Sequence, residues 1–94
     1  MKYVYPAVFS PALEGGYCVI FPDIRKGATQ GDDIVEAMEM AKDFLCATLY
    51  DMETDGEAIP IPSNISAIKT SSRDILTLIY ANTEEYHNLD ENTA

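Results

Sequence analysis

The chain has 94 residues, the size of one domain, which leaves room for only a small hydrophobic core. Its 16 acidic and 6 basic residues give a formal net charge of -10, which argues against binding to nucleic acid or anionic lipid, since phosphate contacts need clustered Lys and Arg. No apolar stretch is long enough for a membrane span and the N-terminus resembles no export signal, so we expect a cytoplasmic protein with a basic partner.

Three strands are predicted before the first helix. The first covers residues 2–10, where Pro6 indicates an edge position or a bulge because proline has no N–H for a β-ladder. A glycine-containing turn leads to the second strand, residues 17–21, whose two faces are both apolar, which predicts a central position. After a break at residues 22–27, a short third strand is expected over residues 28–30.

A long amphipathic helix is predicted next. Asp33 is a suitable N-cap, Glu36 completes a pair resembling a capping box, and Gly56 predicts a left-handed end. On a helical wheel, nine residues fall within an arc of about 140°. They are expected to face the sheet: Ile34, Ala37, Met38, Ala41, Phe44, Leu45, Thr48, Leu49 and Met52.

The remaining segments complete the fold prediction. Alternating prolines hold residues 58–63 extended. Residues 75–81 are predicted as an interior strand because they are almost continuously apolar, and residues 82–86 as one helical turn. The order β-β-β-α-β predicts an α+β fold in which a small, mostly antiparallel sheet packs on one long helix.

Residue types that support catalysis or metal binding are sparse. Cys18 and Cys46 form no CxxC pair and, with the single His87, make no zinc pattern, so we expect two semi-buried thiols. A two-metal nuclease needs carboxylates on rigid strands, and the first, second and last predicted strands contain no Asp or Glu. We therefore expect no enzymatic activity, no cofactor and no metal site.

Acidic residues dominate the segment from Asp32 to Glu57, where Lys42 is the one base. Such a run forms a solvated helix face, and its field also attracts a basic partner. Phe21 is expected in the core, whereas Tyr17 is either core or an exposed anchor for a partner. The residues predicted to bind a partner are Glu14, Tyr17, Asp23, Asp32, Asp33 and Glu36.

Four segments in order carry a family resemblance: Tyr5-Pro6-Ala7-Val8-Phe9, Gly15-Gly16-Tyr17 through Phe21-Pro22-Asp23, Thr29-Gln30-Gly31-Asp32 before a helix with Ala37 and Ala41, and Asp55-Gly56-Glu57-Ala58-Ile59-Pro60-Ile61-Pro62-Ser63. Together they resemble the HicB antitoxin family of bacterial type II toxin–antitoxin modules. The loop over residues 22–28 departs from the family's usual P-D-L-P-G-C pattern.

This resemblance implies a degenerate RNase-H-like domain over residues 1–86 that binds and masks a small basic, RNA-cleaving toxin of the HicA type. It also implies a homodimer or higher oligomer and a C-terminal DNA-binding segment that represses the operon. Residues 87–94 are expected to be a tail or a linker to such a segment, and too short to read DNA themselves. An RNA-binding or nuclease-like protein on the same fold, and the regulatory half of a repressor, remain alternatives.

Overall fold

The computed structural model describes residues 1–86, and the structural statements below refer to them. The predicted order β-β-β-α-β is confirmed. The elements are β1 (Lys2–Pro11), β2 (Tyr17–Phe21), β3 (Ile24–Gly31), α1 (Ile34–Asp55), a short 3-10 helix (Ile65–Ala67) and β4 (Ile75–Asn82). The predicted tail, with His87, lies outside the described residues.

The four strands form one antiparallel sheet in the order β3-β2-β1-β4, which confirms the central position of β2. β1 pairs with β4 over Lys2–Phe9 but with β2 only from Val8 onward. Pro6 therefore lies in an interior strand, at a point where that strand has a partner on one side only. The interior position predicted for β4 is wrong: β4 is an edge strand, and its continuous apolar run covers both a core face and an open face.

β3 is longer than its sequence indicates. The predicted break at residues 22–27 is reduced to a turn at Pro22 and Asp23, after which the buried Ile24 pairs with Phe21. The next pair joins Ile20 to Ala28, so the intervening residues of β3 form an irregularity in the ladder. The charged residues of this bulge concealed the strand in the sequence.

α1 begins and ends as predicted, with Asp33 as N-cap and Gly56 in the left-handed conformation at φ 72°. The helix lies on one face of the sheet and buries Ala37, Ala41, Leu45, Cys46, Leu49 and Met52. The helical wheel is wrong for Met38, whose side chain is exposed beside Leu78 and Tyr80. The buried stripe of α1 contains Cys46, which the wheel does not include.

The core lies between α1 and the facing side chains of the sheet. These are Tyr5, Ala7 and Phe9 of β1, Val19 and Phe21 of β2, and Ile79 and Ala81 of β4. The prediction that Phe21 is a core residue is confirmed, and its ring stacks on the half-buried Phe44 at 6.1 Å between centroids. The expectation of two semi-buried thiols is wrong for Cys18, which is exposed because it points away from α1.

The segments that flank β4 agree with the sequence. Residues 58–63 form neither helix nor strand, and the hydroxyl of Tyr5 donates a hydrogen bond to the carbonyl of Pro60. A helical turn over residues 83–86 follows β4, and the Asn82 side chain caps it by accepting from the Glu84 N–H at 3.1 Å. This turn places Thr83 beside the N-terminus, where its backbone N–H donates to the Met1 carbonyl at 3.0 Å.

Candidate protein-binding surface

The turn between β1 and β2 forms one side of a cleft of about 280 Å³, called here the hairpin cleft. Its lining residues come from that turn and from the end of β3: Ala12, Glu14, Gly15, Gly16, Tyr17, Cys18, Gln30, Gly31 and Asp32. Gly16 has a φ of 77°, and a Cβ there would lie 2.5 Å from the Gly31 carbonyl oxygen. The close approach of turn and strand that shapes the cleft therefore requires glycine.

The N-terminus of α1 borders the hairpin cleft. The Asp33 Oδ1 accepts from the Glu36 N–H at 2.8 Å, and the Glu36 Oε1 accepts from the Asp32 N–H at 2.7 Å. The first bond satisfies the Glu36 N–H, which the first turn leaves without a helical partner, and the second joins the residue before the N-cap to that turn. Asp33 and Glu36 thus have a structural role, whereas the exposed Asp32 side chain lines the cleft.

The structure brings five of the six predicted binding residues together at this end of the sheet. Glu14 is exposed and Tyr17 is half-buried against the core, so Tyr17 is both a packing residue and part of the cleft wall. Asp23 lies apart from them, at the other end of β2. Its carboxylate accepts from the Ser63 N–H at 2.9 Å and from the Ser63 hydroxyl, which fixes the segment after α1.

A second acidic surface, absent from the predicted set, surrounds the C-terminus of α1. This helix-end patch consists of Asp51, Asp55 and Glu57 around a cavity of about 310 Å³ that Lys26 also lines. Lys26 Nζ lies 2.8 Å from Glu57 Oε2. Carboxylates at a helix C-terminus oppose the helix dipole, and the last turn of α1 carries no basic residue. That conflict is the sequence signal by which the patch could have been found.

Tyrosine hydroxyls on the covered side of the sheet secure this same end of α1. The Tyr3 hydroxyl donates to Glu53 Oε2 at 2.5 Å. Burial, and then the Glu53 carboxylate, raise the pKa of Tyr3 to about 12. Burial likewise raises the pKa of Tyr5. These groups hold their protons firmly and serve as hydrogen-bond donors between β1 and the segments that follow it.

Residues 1–86 contain no group of three or more His, Cys, Asp or Glu side chains placed to hold a metal ion. No helix in that part of the chain is long and apolar enough to cross a membrane. The described surface carries the hairpin cleft at one end of α1 and the helix-end patch at the other.

Comparisons with known proteins agree on one family. Residues 4–75 match the model of the HicB-like antitoxin of bacterial toxin–antitoxin system. The chain is 46% identical over 63 residues to "Antitoxin HicB" of Escherichia coli K12, which covers 67% of this chain and 46% of that protein. It is 46% identical over 61 residues to "Antitoxin HicB 1" of Photorhabdus laumondii, covering 65% and 39%. It therefore spans about half the length, or less, of these curated relatives.

Two solved structures are similar in fold. A chain of a toxin–antitoxin complex from Streptococcus pneumoniae superimposes with a TM-score of 0.81 and 26% identity, covering 92% of this chain and 73% of that one. A chain of the HicA3 and HicB3 toxin–antitoxin complex superimposes with a TM-score of 0.67, covering 85% of this chain and 99% of that one. At 19% identity, this second similarity concerns the fold alone.

Proposed function

The chain belongs to the HicB-like antitoxin family, and from that membership we propose that it binds and masks a small basic toxin that cleaves RNA. The observation that carries the proposal is the family match, which extends over residues 4–75 and therefore includes the hairpin cleft and all of α1. The similar chains of known structure come from toxin–antitoxin complexes, which is consistent with such a partner.

The charge of the chain supports a basic partner. A formal net charge of -10 on 94 residues produces a field that attracts cations and repels RNA. An RNA-cleaving toxin needs basic residues to hold phosphates. Carboxylates that pair with those residues compete with the RNA backbone for the same surface, so inhibition requires no reaction catalysed by the antitoxin.

We assign the principal contact to the hairpin cleft. Glu14 and Asp32 present exposed carboxylates in the cleft that Tyr17 also lines, and the Tyr17 ring supplies apolar contact area. The supporting side chains are already ordered, since the glycine turn and the capping residues fix the backbone on both sides. A preformed surface loses less conformational entropy on binding, which favours affinity.

The helix-end patch provides a matched control for this assignment. The cleft variant Glu14→Lys with Asp32→Lys and the patch variant Asp51→Lys with Asp55→Lys change the net charge equally. Lysines near the C-terminus of α1 also agree with the helix dipole, so the patch variant should not lose stability. We expect the cleft variant to bind the adjacently encoded toxin about tenfold or more weakly than the patch variant, a difference of about 1.4 kcal/mol.

The measurement is calorimetric titration of the toxin with each variant at two salt concentrations, together with an RNA-cleavage assay. Wild-type affinity should fall as salt rises, and cleavage should stop at a stoichiometric amount of the chain. Equal losses for the two variants would remove the assignment to the hairpin cleft. Failure of the wild-type chain to bind the toxin, or binding of RNA at physiological salt, would contradict the proposed function.

A further inference from the structure

The connection between α1 and β4, residues 57–74, is called here the connecting strap. None of its residues is buried and it contains no strand, although the elements on both sides of it supply the core. Ile59 packs at the margin of the core, and the 3-10 helix lies against β4. Segments with little buried apolar surface open at a lower free-energy cost than the strands and helices of a core.

A single carboxylate holds the middle of the connecting strap. Asp23 Oδ2 accepts from the Ser63 N–H at 2.9 Å, and Asp23 Oδ1 accepts from the Ser63 hydroxyl at 2.5 Å. Hydrogen bonds to a carboxylate are stronger than bonds between neutral groups. This pair of bonds, called here the latch, joins the strap to the turn between β2 and β3.

Two further contacts attach the strap between α1 and the latch. Lys26 Nζ lies 2.8 Å from Glu57 Oε2, but both side chains are exposed, so this ion pair contributes little. The buried Tyr5 donates its hydroxyl to the Pro60 carbonyl. None of these attachments belongs to a β-ladder, so the strap can separate from the domain while all four strands stay paired.

The ends of the strap and its prolines favour movement as one piece. Gly56, with a φ of 72°, lies at the α1 end, and a turn in which the Asp74 N–H donates to the Ser71 carbonyl lies at the β4 end. Pro60 and Pro62 fix φ and have no N–H, so no amide donor can attach the strap at these two positions. Release of such a stiff segment gains little conformational entropy, which leaves the latch to decide whether the strap is closed.

We propose that the connecting strap opens and closes as one unit while the sheet and α1 stay folded, and that the latch controls this equilibrium. The open state uncovers the end of the core at Tyr5 and the helix-end cavity, whose wall includes Glu57. The hairpin cleft keeps its shape in both states, because it lies at the opposite end of β2. The strap is thus a conformational device built into the connection between α1 and β4.

Hydrogen exchange of the 94-residue chain, followed by NMR at several low urea concentrations, tests this proposal. The reporter amides are the Ala67 N–H, which donates to the Asn64 carbonyl at 2.9 Å, and the Ile68 N–H, which donates to the Ile65 carbonyl at 3.3 Å. If the strap opens as a unit, both amides exchange through one opening whose free energy depends little on urea. The buried Leu45, in the middle of α1, should exchange only through unfolding of the whole domain, with a strong dependence on urea.

Two variants separate opening of the strap from unfolding of the domain. Asp23→Ala removes both acceptors of the latch, and we expect both reporter amides to exchange about tenfold or more faster. Ile79→Ala weakens the core and leaves the latch intact. It should speed exchange of the Leu45 amide about thirtyfold or more and leave the reporter amides unchanged. Asp23→Asn keeps one acceptor oxygen and should recover part of the protection that Asp23→Ala loses.

Asp43→Ala is the matched control, because it removes an exposed carboxylate of α1 that takes no part in the latch, and it should leave reporter exchange unchanged. The proposal is overturned if the reporter amides of the wild-type chain exchange with the same free energy and urea dependence as Leu45, since the strap then opens only with the whole domain. Unchanged reporter exchange in Asp23→Ala would overturn it too, because the latch would then stay closed when the reporters open. All measurements use the chain alone, so they are independent of toxin binding.

Discussion

The two faces of the sheet are built from the same strands and are almost equally apolar, yet they differ in what covers them. Tyr5, Phe9, Val19 and Ile79 are buried under α1, while their neighbours Val4, Ile20 and Leu78 remain partly exposed on the opposite side of the sheet, called here the outer face. Because strand side chains alternate, adjacent residues of one strand report on opposite faces. Apolar character alone thus identifies the side chains that can be buried. Which face of the sheet the chain itself covers depends on how the strands and α1 are connected.

The two faces therefore contribute differently to the stability of the single chain. The covered face is filled by a helix that the chain itself supplies and that is anchored at both ends, by the capping pair and by the Tyr3–Glu53 hydrogen bond. Removing a side chain there leaves a cavity. Removing one from the outer face leaves a surface that water already reaches, so its free-energy cost in the single chain is small.

The sharpest test of this comparison uses neighbouring residues of β4. Ile79→Ala should lower the free energy of unfolding by about 2–5 kcal/mol, because Ile79 is almost completely buried against α1. Leu78→Ala should cost less than about 1 kcal/mol, because half of that side chain is exposed. Urea denaturation measures both values. Equal losses at Ile79 and Leu78 would contradict the assignment of the two faces.

Most of the fold could be predicted because its signals are local. The cap at Asp33, the left-handed Gly56 and the prolines of residues 58–63 act through the backbone of their own segment. The edge position of β4 could not be read in the same way. An apolar run indicates burial on both sides of a strand, but in β4 the second side is the outer face. The order of the strands also depends on pairing between distant segments, which no local pattern shows.

The candidate site likewise contains residues that the sequence predicts and contacts that only the folded structure shows. Glu14, Tyr17 and Asp32 are predicted from the sequence to bind a partner, and the structure gathers them because the hairpin turn and the start of α1 are close in space. The position of Asp23 beside β2 predicts the same role, yet its bonds to Ser63 are formed across 40 residues of sequence. The helix-end patch was missed because Lys26 and Glu57 meet only after β3 packs on α1.

A smaller effect is expected where α1 is anchored at its N-terminus. Asp33→Ala removes the acceptor of the Glu36 N–H and should cost about 1 kcal/mol of unfolding free energy. Asp32→Ala is the matched control, because it removes the adjacent carboxylate and keeps the cap. Thermal unfolding distinguishes the two. An equal loss for both would mean that the dipole, and not the cap, stabilises this helix end.

The smallest effect is confined to alkaline solution and concerns the other anchor of the covered face. The pKa of Tyr3 is about 12 in the folded chain against 10.0 for the free side chain, so the folded state holds this proton more tightly. The corresponding stabilisation is complete below pH 10 and is lost as the pH rises through 10 toward 12.

Tyr3→Phe should therefore weaken the decline of the melting temperature between these pH values and reduce the late part of the tyrosinate absorbance titration. Part of that late signal should persist, because burial also raises the pKa of Tyr5. Tyr80→Phe, which removes a hydroxyl from the outer face, is the control and should leave the Tyr3 signal intact. A wild-type titration complete by pH 10 would show that the Tyr3 hydroxyl is not held against Glu53, and that this end of the covered face is open to solvent.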